Sequence, residues 1–311
     1  MKKGIDVIRT SRYSLNAILI LFFVVQGLSQ TKYLYNGPFS GGWDITTNWI
    51  PNGAPGALDT VIIASNAGGL KYVPSSVYLL KITATGSLNI STPFAITDSL
   101  VVDGIVTMQD NTITVGGNVN GSGTVILSQS TLTATSQTAS FENVSIDFNS
   151  SLSSLNIAGA VSSTISIANS NQSTITYNGS FQNIPGLTYN RLRLSGQTKT
   201  LSSNITVLTE LEILANTTLD ASISNHNITL SGNLILNSGS VFNPRNGSII
   251  FTGNGNPTLT SPVEVHLFNL QVNGSTSLTN TAALDIDGNV LLADNSVFNS
   301  GSNLIKVAGD W

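Results

Sequence analysis

Three pairs of charged residues are spaced by two along short stretches of alternating polarity: Arg191 and Arg193, Glu210 and Glu212, Asp285 and Asp287. In an extended strand, residues two apart share a face, so each pair sets two like charges side by side. Paired carboxylates close to arginine are what polysaccharide hydrolases and lyases use for general acid and base work. Here, however, an apolar residue separates the members of every pair (Leu192, Leu211 and Ile286). That pattern puts the charges on the solvent side of a half-buried strand, where charges sit without any catalytic role. The expectation is a chain with no catalytic residue of its own.

Other chemistry is equally sparse. The two histidines, His226 and His266, are far apart in the sequence, and neither has a metal-ligand partner at helical or hairpin spacing, so both read as surface residues. The absence of cysteine removes thiolate metal sites and cysteine nucleophiles. Asp285-Ile-Asp-Gly-Asn289 with Asp294 resembles a calcium loop, but the twelfth position counted from Asp285 is Ser296 rather than a closing glutamate. Val290 and Leu291 also follow directly in apolar register. No cofactor or metal is therefore expected, with calcium at this loop as the alternative. Phosphate-loop, nucleophile-elbow, zinc-protease and dinucleotide fingerprints are absent.

The elements that must carry these residues are strands. Only 9% of the 311 residues are charged, whereas 41% are hydrophobic, and the polar remainder is dominated by Ser, Thr and Asn. Thr, Val and Ile favour strands, and Asn, Gly and Ser favour their turns. A net charge of −4 argues against nucleic acid as a partner, since that needs a basic face.

One short pattern recurs. Ile228-Thr-Leu-Ser-Gly-Asn-Leu234 has near-copies at Ile113–Val119, Leu155–Val161, Leu284–Val290 and Ile305–Trp311. Each reads as half a strand, a glycine corner and the first inward residue of the next strand. Stacking such units buries apolar columns that no single unit could bury alone. The glycine takes a corner that a Cβ would forbid. The asparagine after it suits a left-handed conformation, and stacked asparagines could form a hydrogen-bonded ladder. The fold expected is all-β, a parallel β-helix (β-solenoid) of short strands with an N-terminal cap. The alternative is a tandem array of β-sandwich modules. Matches also recur at a wider interval, Ile213–Leu219 with Leu291–Val297 and Ile228–Leu234 with Ile305–Trp311. They suggest a larger unit of about 77 residues, made of several coils.

The ends differ from this middle. Residues 1–29 read as a secretory signal peptide: Lys2, Lys3, Arg9 and Arg12 precede the apolar run Ala17–Val25, and Gly27-Leu-Ser29 offers small residues for cleavage. That apolar run is about half the length a membrane span needs, and no later segment is long enough. Residues 30–66 are rich in Gly, Pro and Trp and read as a cap over the first core layer. In the sharper reading, Trp43 and Trp49 form an exposed aromatic platform for a glycan. Residues 67–311 are the solenoid repeats, and the larger repeat is cut at Trp311 on an apolar position. That implies further repeats or domains C-terminal to Trp311.

The order Trp43, Asn48-Trp49, Pro55, Asp59, Val61, Ile63 is similar to the opening of bacterial secreted β-solenoid surface proteins of the autotransporter-like and filamentous-adhesin-like kind. That resemblance implies a secreted, extracellular or outer-surface protein acting as a stalk or adhesin. Surface glycans or other cell-surface components would be its partners. The alternatives are a carbohydrate-active β-helix enzyme and a string of carbohydrate-binding modules.

Overall fold

The computed structural model describes residues 30–162 and 165–311. The expected signal peptide lies outside the described residues. The chain winds as a β-solenoid of about twelve turns, with parallel pairing from each turn to the next. Each turn contributes up to three short strands, so the coil has three sides. Register partners on the first side run Val61, Leu80, Leu100, Val119, Phe141 and Val161, at unequal spacings along the chain. No sandwich module is formed among the described residues.

The alternation read from the sequence sets the faces. On the third side the inward residues Phe94, Ile113, Leu132, Leu155, Ile175, Leu192, Leu211, Leu234 and Leu259 stack in one unbroken column. All nine are buried. Each such aliphatic side chain contributes about 1.5–3 kcal/mol of apolar burial. Beside it runs an outward column, Thr112, Thr131, Ser154, Thr174, Arg191, Glu210 and Asn233.

The corners hold by backbone contact between turns. Asn269 Oδ1 accepts the Asn289 N–H at 2.9 Å, and Asn289 Oδ1 accepts the Asp310 N–H at 2.9 Å. The asparagine ladder therefore runs from side chain to backbone. Asn118, Asn233 and Asn289, the asparagines of the repeated pattern, do not adopt positive φ, nor do the glycines before them. Glycine is required there for closeness instead. A Cβ on Gly288 would meet the Phe268 carbonyl oxygen at 2.7 Å, on the turn beneath.

The cap and the coil interleave rather than meeting at residue 66. Strand Lys32–Tyr35 already pairs in parallel with Thr60–Ile63, and antiparallel with Trp49–Ile50. Trp43 and Trp49 are 2% and 0% exposed, with ring centroids 4.8 Å apart. Trp43 donates its indole N–H to Pro55 O and Trp49 donates to Trp43 O. This corrects the platform reading: both rings close the first core layer and offer no face to a sugar.

The wider interval between matching segments is likewise not a unit of the coil. Ile228–Leu230 lies on the second side, pairing with Ile205–Val207, whereas Ile305–Val307 lies on the first, pairing with Leu284–Ile286. The recurring pattern is a strand-and-corner device used at different corners, so its copies need not be separated by whole turns.

Candidate functional site

The coil changes shape in its middle. In the N-terminal turns a corner separates the second and third sides, as between Ile105–Gln109 and Thr112–Val115. Two successive turns then run straight through it. Thr188–Leu194 and Ile205–Ile213 are single strands of seven and nine residues, paired in parallel with a register shift between Tyr189 and Arg191. Beyond them the corner returns, Ile205–Val207 pairing with Ile228–Leu230 and Glu210–Ile213 with Asn233–Leu236.

Buried polar groups hold the straightened corner. The Asn190 side chain is almost fully buried and donates through Nδ2 to Thr209 Oγ1 at 3.0 Å. Beneath it the Tyr189 hydroxyl lies 3.2 Å from that of Tyr177 and donates to Pro185 O at 2.8 Å. Burial raises both phenols above their ordinary range.

Outside this corner lies a groove of about 420 Å³. Its floor is the outward Thr and Ser column together with Asn156 and Thr176, and its end is formed by Arg191, Arg193, Glu210 and Glu212. Two of the three charged pairs picked out in the sequence, Arg191 with Arg193 and Glu210 with Glu212, are thus brought together, by adjacency between turns as well as by spacing along a strand. Arg193 Nε donates to Glu212 Oε2 at 2.7 Å, and Asn237 Nδ2 donates to Glu212 Oε1 at 3.0 Å. Glu212 is therefore committed at both oxygens. Arg191 and Glu210 are register partners but no ion pair joins them. A groove lined by hydroxyls, an amide and two opposed charge pairs can hydrogen-bond a polar, hydroxyl-rich ligand along the coil axis. It has almost no apolar lining on which a sugar ring could stack.

The other sequence candidates lie elsewhere. His226 is half-buried beside the exposed segment 223–225. Asp285 points outward towards His266 and is not grouped with Asp287 or Asp294. The loop resembling a calcium site therefore does not gather its carboxylates. His266 does have ligand-type neighbours, Glu264 and Asp285. Glu264, two residues before His266, was legible at strand spacing, whereas Asp285 lies one turn of coil away, which only a known register reveals.

Lys199 was missed. Thr198-Lys-Thr-Leu201 alternates, and Lys199 takes the inward position with Leu201, fully buried. It stacks between Gln182 on one turn and Leu219 on the next. Its ammonium donates to Gly179 O, and burial pulls its pKa down to about 8. Alternation alone pointed to this placement, against the usual exposure of lysine.

Among the described residues, no helix is long and apolar enough to cross a membrane. No family model matches the chain, and comparisons with curated proteins and with solved structures give no match either.

Proposed function

We propose that this chain is a non-enzymatic, secreted or cell-surface repeat segment of a larger bacterial protein. It acts as a stiff stalk that also contacts surface glycans. The observation that carries this reading is the unbroken in-register stack. The column from Phe94 to Leu259 makes a continuous core, and its outward neighbours present hydroxyls over four turns, from Thr112 to Thr174, followed by Arg191, Glu210 and Asn233. Repeated weak contacts along such a face add up when many copies meet a glycan-coated surface. The carboxylate best placed for chemistry, Glu212, is held by Arg193 and Asn237, which suits a structural role.

The groove favours one second reading, a carbohydrate-active β-helix, because four charged side chains line it. A single experiment separates the two. The protein is incubated with a panel of polysaccharides, free in solution and immobilised on beads at high density, and both retention and product release are measured. Retention on dense beads without cleavage supports the stalk and adhesin reading. Release of shortened saccharides, lost in Glu210→Gln, supports the enzyme. Neither retention nor cleavage on any polysaccharide removes the glycan-contact role.

A further inference from the structure

Far from the groove, on the first side of the last turns, three strands pair in parallel: Val265–Leu267, Leu284–Ile286 and Ile305–Val307. Their register places His266 opposite Asp285 and Asp285 opposite Lys306. Glu264 stands two residues before His266, on the same face. One imidazole nitrogen and one oxygen from each carboxylate all lie within 4.8 Å of one another.

We propose that Glu264, His266 and Asp285 bind one divalent transition-metal ion of the zinc class, displacing the Lys306 ammonium that now pairs with Glu264. The distances carry the argument. His266 Nδ1 is 3.4 Å from Asp285 Oδ2. That is longer than a charge-assisted hydrogen bond of about 2.7–2.9 Å. It matches the separation of two ligands on a tetrahedral zinc, roughly 3.4 Å for bonds of about 2.0–2.1 Å. The two groups are thus spaced to share a cation rather than to bond each other.

A cation already pairs with one of the three groups. Lys306 Nζ lies 2.8 Å from Glu264 Oε1. Lys306 is also the register partner of Asp285, so its stem stands beside the second carboxylate. Lys306 is exposed, and its flexible stem lets it swing out when a stronger cation arrives. The donor set selects the ion. Calcium and magnesium prefer all-oxygen shells, whereas imidazole with carboxylates suits zinc, copper or nickel. The remaining positions would hold water. An ion held here would tie two successive turns together through side chains. The site shares no residue with the groove, and its fate is independent of the stalk reading.

The test uses tag-free, chelator-treated protein titrated with Zn²⁺ by isothermal calorimetry, with thermal unfolding followed in parallel. We expect one ion per chain and a rise in unfolding temperature. His266→Ala should abolish both, and Asp285→Asn should weaken binding more than about tenfold. Lys306→Met should bind several-fold more tightly, because the competing ammonium is gone, and His226→Ala should leave binding unchanged. His266 and Lys306 are exposed and Asp285 half-buried, so circular dichroism without zinc should show each variant folded. The proposal is overturned if the parent protein binds no zinc, if His266→Ala binds as tightly as the parent, or if Ca²⁺ binds as tightly as Zn²⁺.

Discussion

Arg193 and Glu212 are register partners on adjacent turns, and Arg193 Nε lies 2.7 Å from Glu212 Oε2. A second ion pair also crosses successive turns: Asp220, whose register partner is Asn243, takes the guanidinium of Arg245, two residues further on, at 2.7 Å. In a parallel coil, outward side chains one turn apart are neighbours about 4.8 Å from each other, closer than two residues apart along one strand. Charge is therefore balanced across turns. A like-charged pair such as Arg191 and Arg193 is tolerable because the next turn answers it with Glu210 and Glu212.

A double-mutant cycle on Arg193→Ala and Glu212→Ala should give a coupling energy of about 0.5–1 kcal/mol, falling as salt is added. The Arg193 side chain is 43% exposed, so water screens the pair and a larger value is not expected. Denaturant unfolding of the four proteins measures it. A coupling near zero would make the pair a passive neighbour contact.

The β-solenoid was legible because alternation and corners are local, whereas its three sides were not. Ile228-Thr-Leu230 announces which residues face in, and Gly232 announces the corner. Register between turns was not legible, because turn length varies even on one side: the turn from Val119 to Phe141 is longer than the one from Leu100 to Val119. Without register, Asp285 could be read only against its sequence neighbours, so Asp287 looked like its partner and His266 did not. The straightened corner at Thr188–Leu194 and Ile205–Ile213 was hidden for a related reason. Its strands keep the usual polar alternation apart from one shift beside Asn190, which the sequence does not mark.

Gly232→Ala should destabilise the protein by about 1–3 kcal/mol, the usual cost of forcing an extra carbon into a packed site. A Cβ there would overlap the backbone of Thr209 on the turn beneath, and backbone cannot rotate away. Gly253→Ala is the comparison. Its Cβ would meet nothing nearer than Ser231 at 3.9 Å, so its cost comes only from a φ of +113°. Unfolding midpoints of both variants decide whether closeness or backbone angle dominates at these corners.

Lys199 gives the protein a predictable pH response. Burial holds its pKa at about 8 in the folded chain, against an ordinary 10.5. Between those values the unfolded chain binds the extra proton, so stability should rise with pH from about 8 to 10. Above about pH 10 the sign reverses. Tyr177 and Tyr189 are held protonated by burial, while in the unfolded chain they ionise. Lys199→Met should remove the rising limb and leave the falling one. It suits the apolar column of Leu219 and Phe242 on the following turns, although it leaves Gly179 O without its donor. Unfolding free energies at about pH 7, 9 and 10 test this, and an unchanged rising limb in the variant would assign it to another group.

The tryptophans report on the closed end of the coil. Trp43 and Trp49 are 2% and 0% exposed, each with its indole N–H bonded to a backbone carbonyl, whereas Trp311 is 68% exposed. Acrylamide should therefore quench one fraction of the fluorescence strongly and leave a blue-shifted fraction nearly untouched. Trp311→Phe should remove the quenchable fraction alone. Trp49→Ala should act differently, because it empties the space between Tyr35, Tyr33 and Trp43 at ring distances of 5.0, 6.4 and 4.8 Å. Loss of a fully buried aromatic costs about 3–5 kcal/mol. The damage should begin at the first turns, because each turn rests on the one before it. Hydrogen exchange would then show early loss of protection in Thr60–Ile63 and its partner Leu79–Ile82, with the column around Leu192 and Leu211 protected longer. Uniform loss along the whole chain would instead mean that the coil unfolds as one cooperative unit and that the closed end sets the stability of every turn.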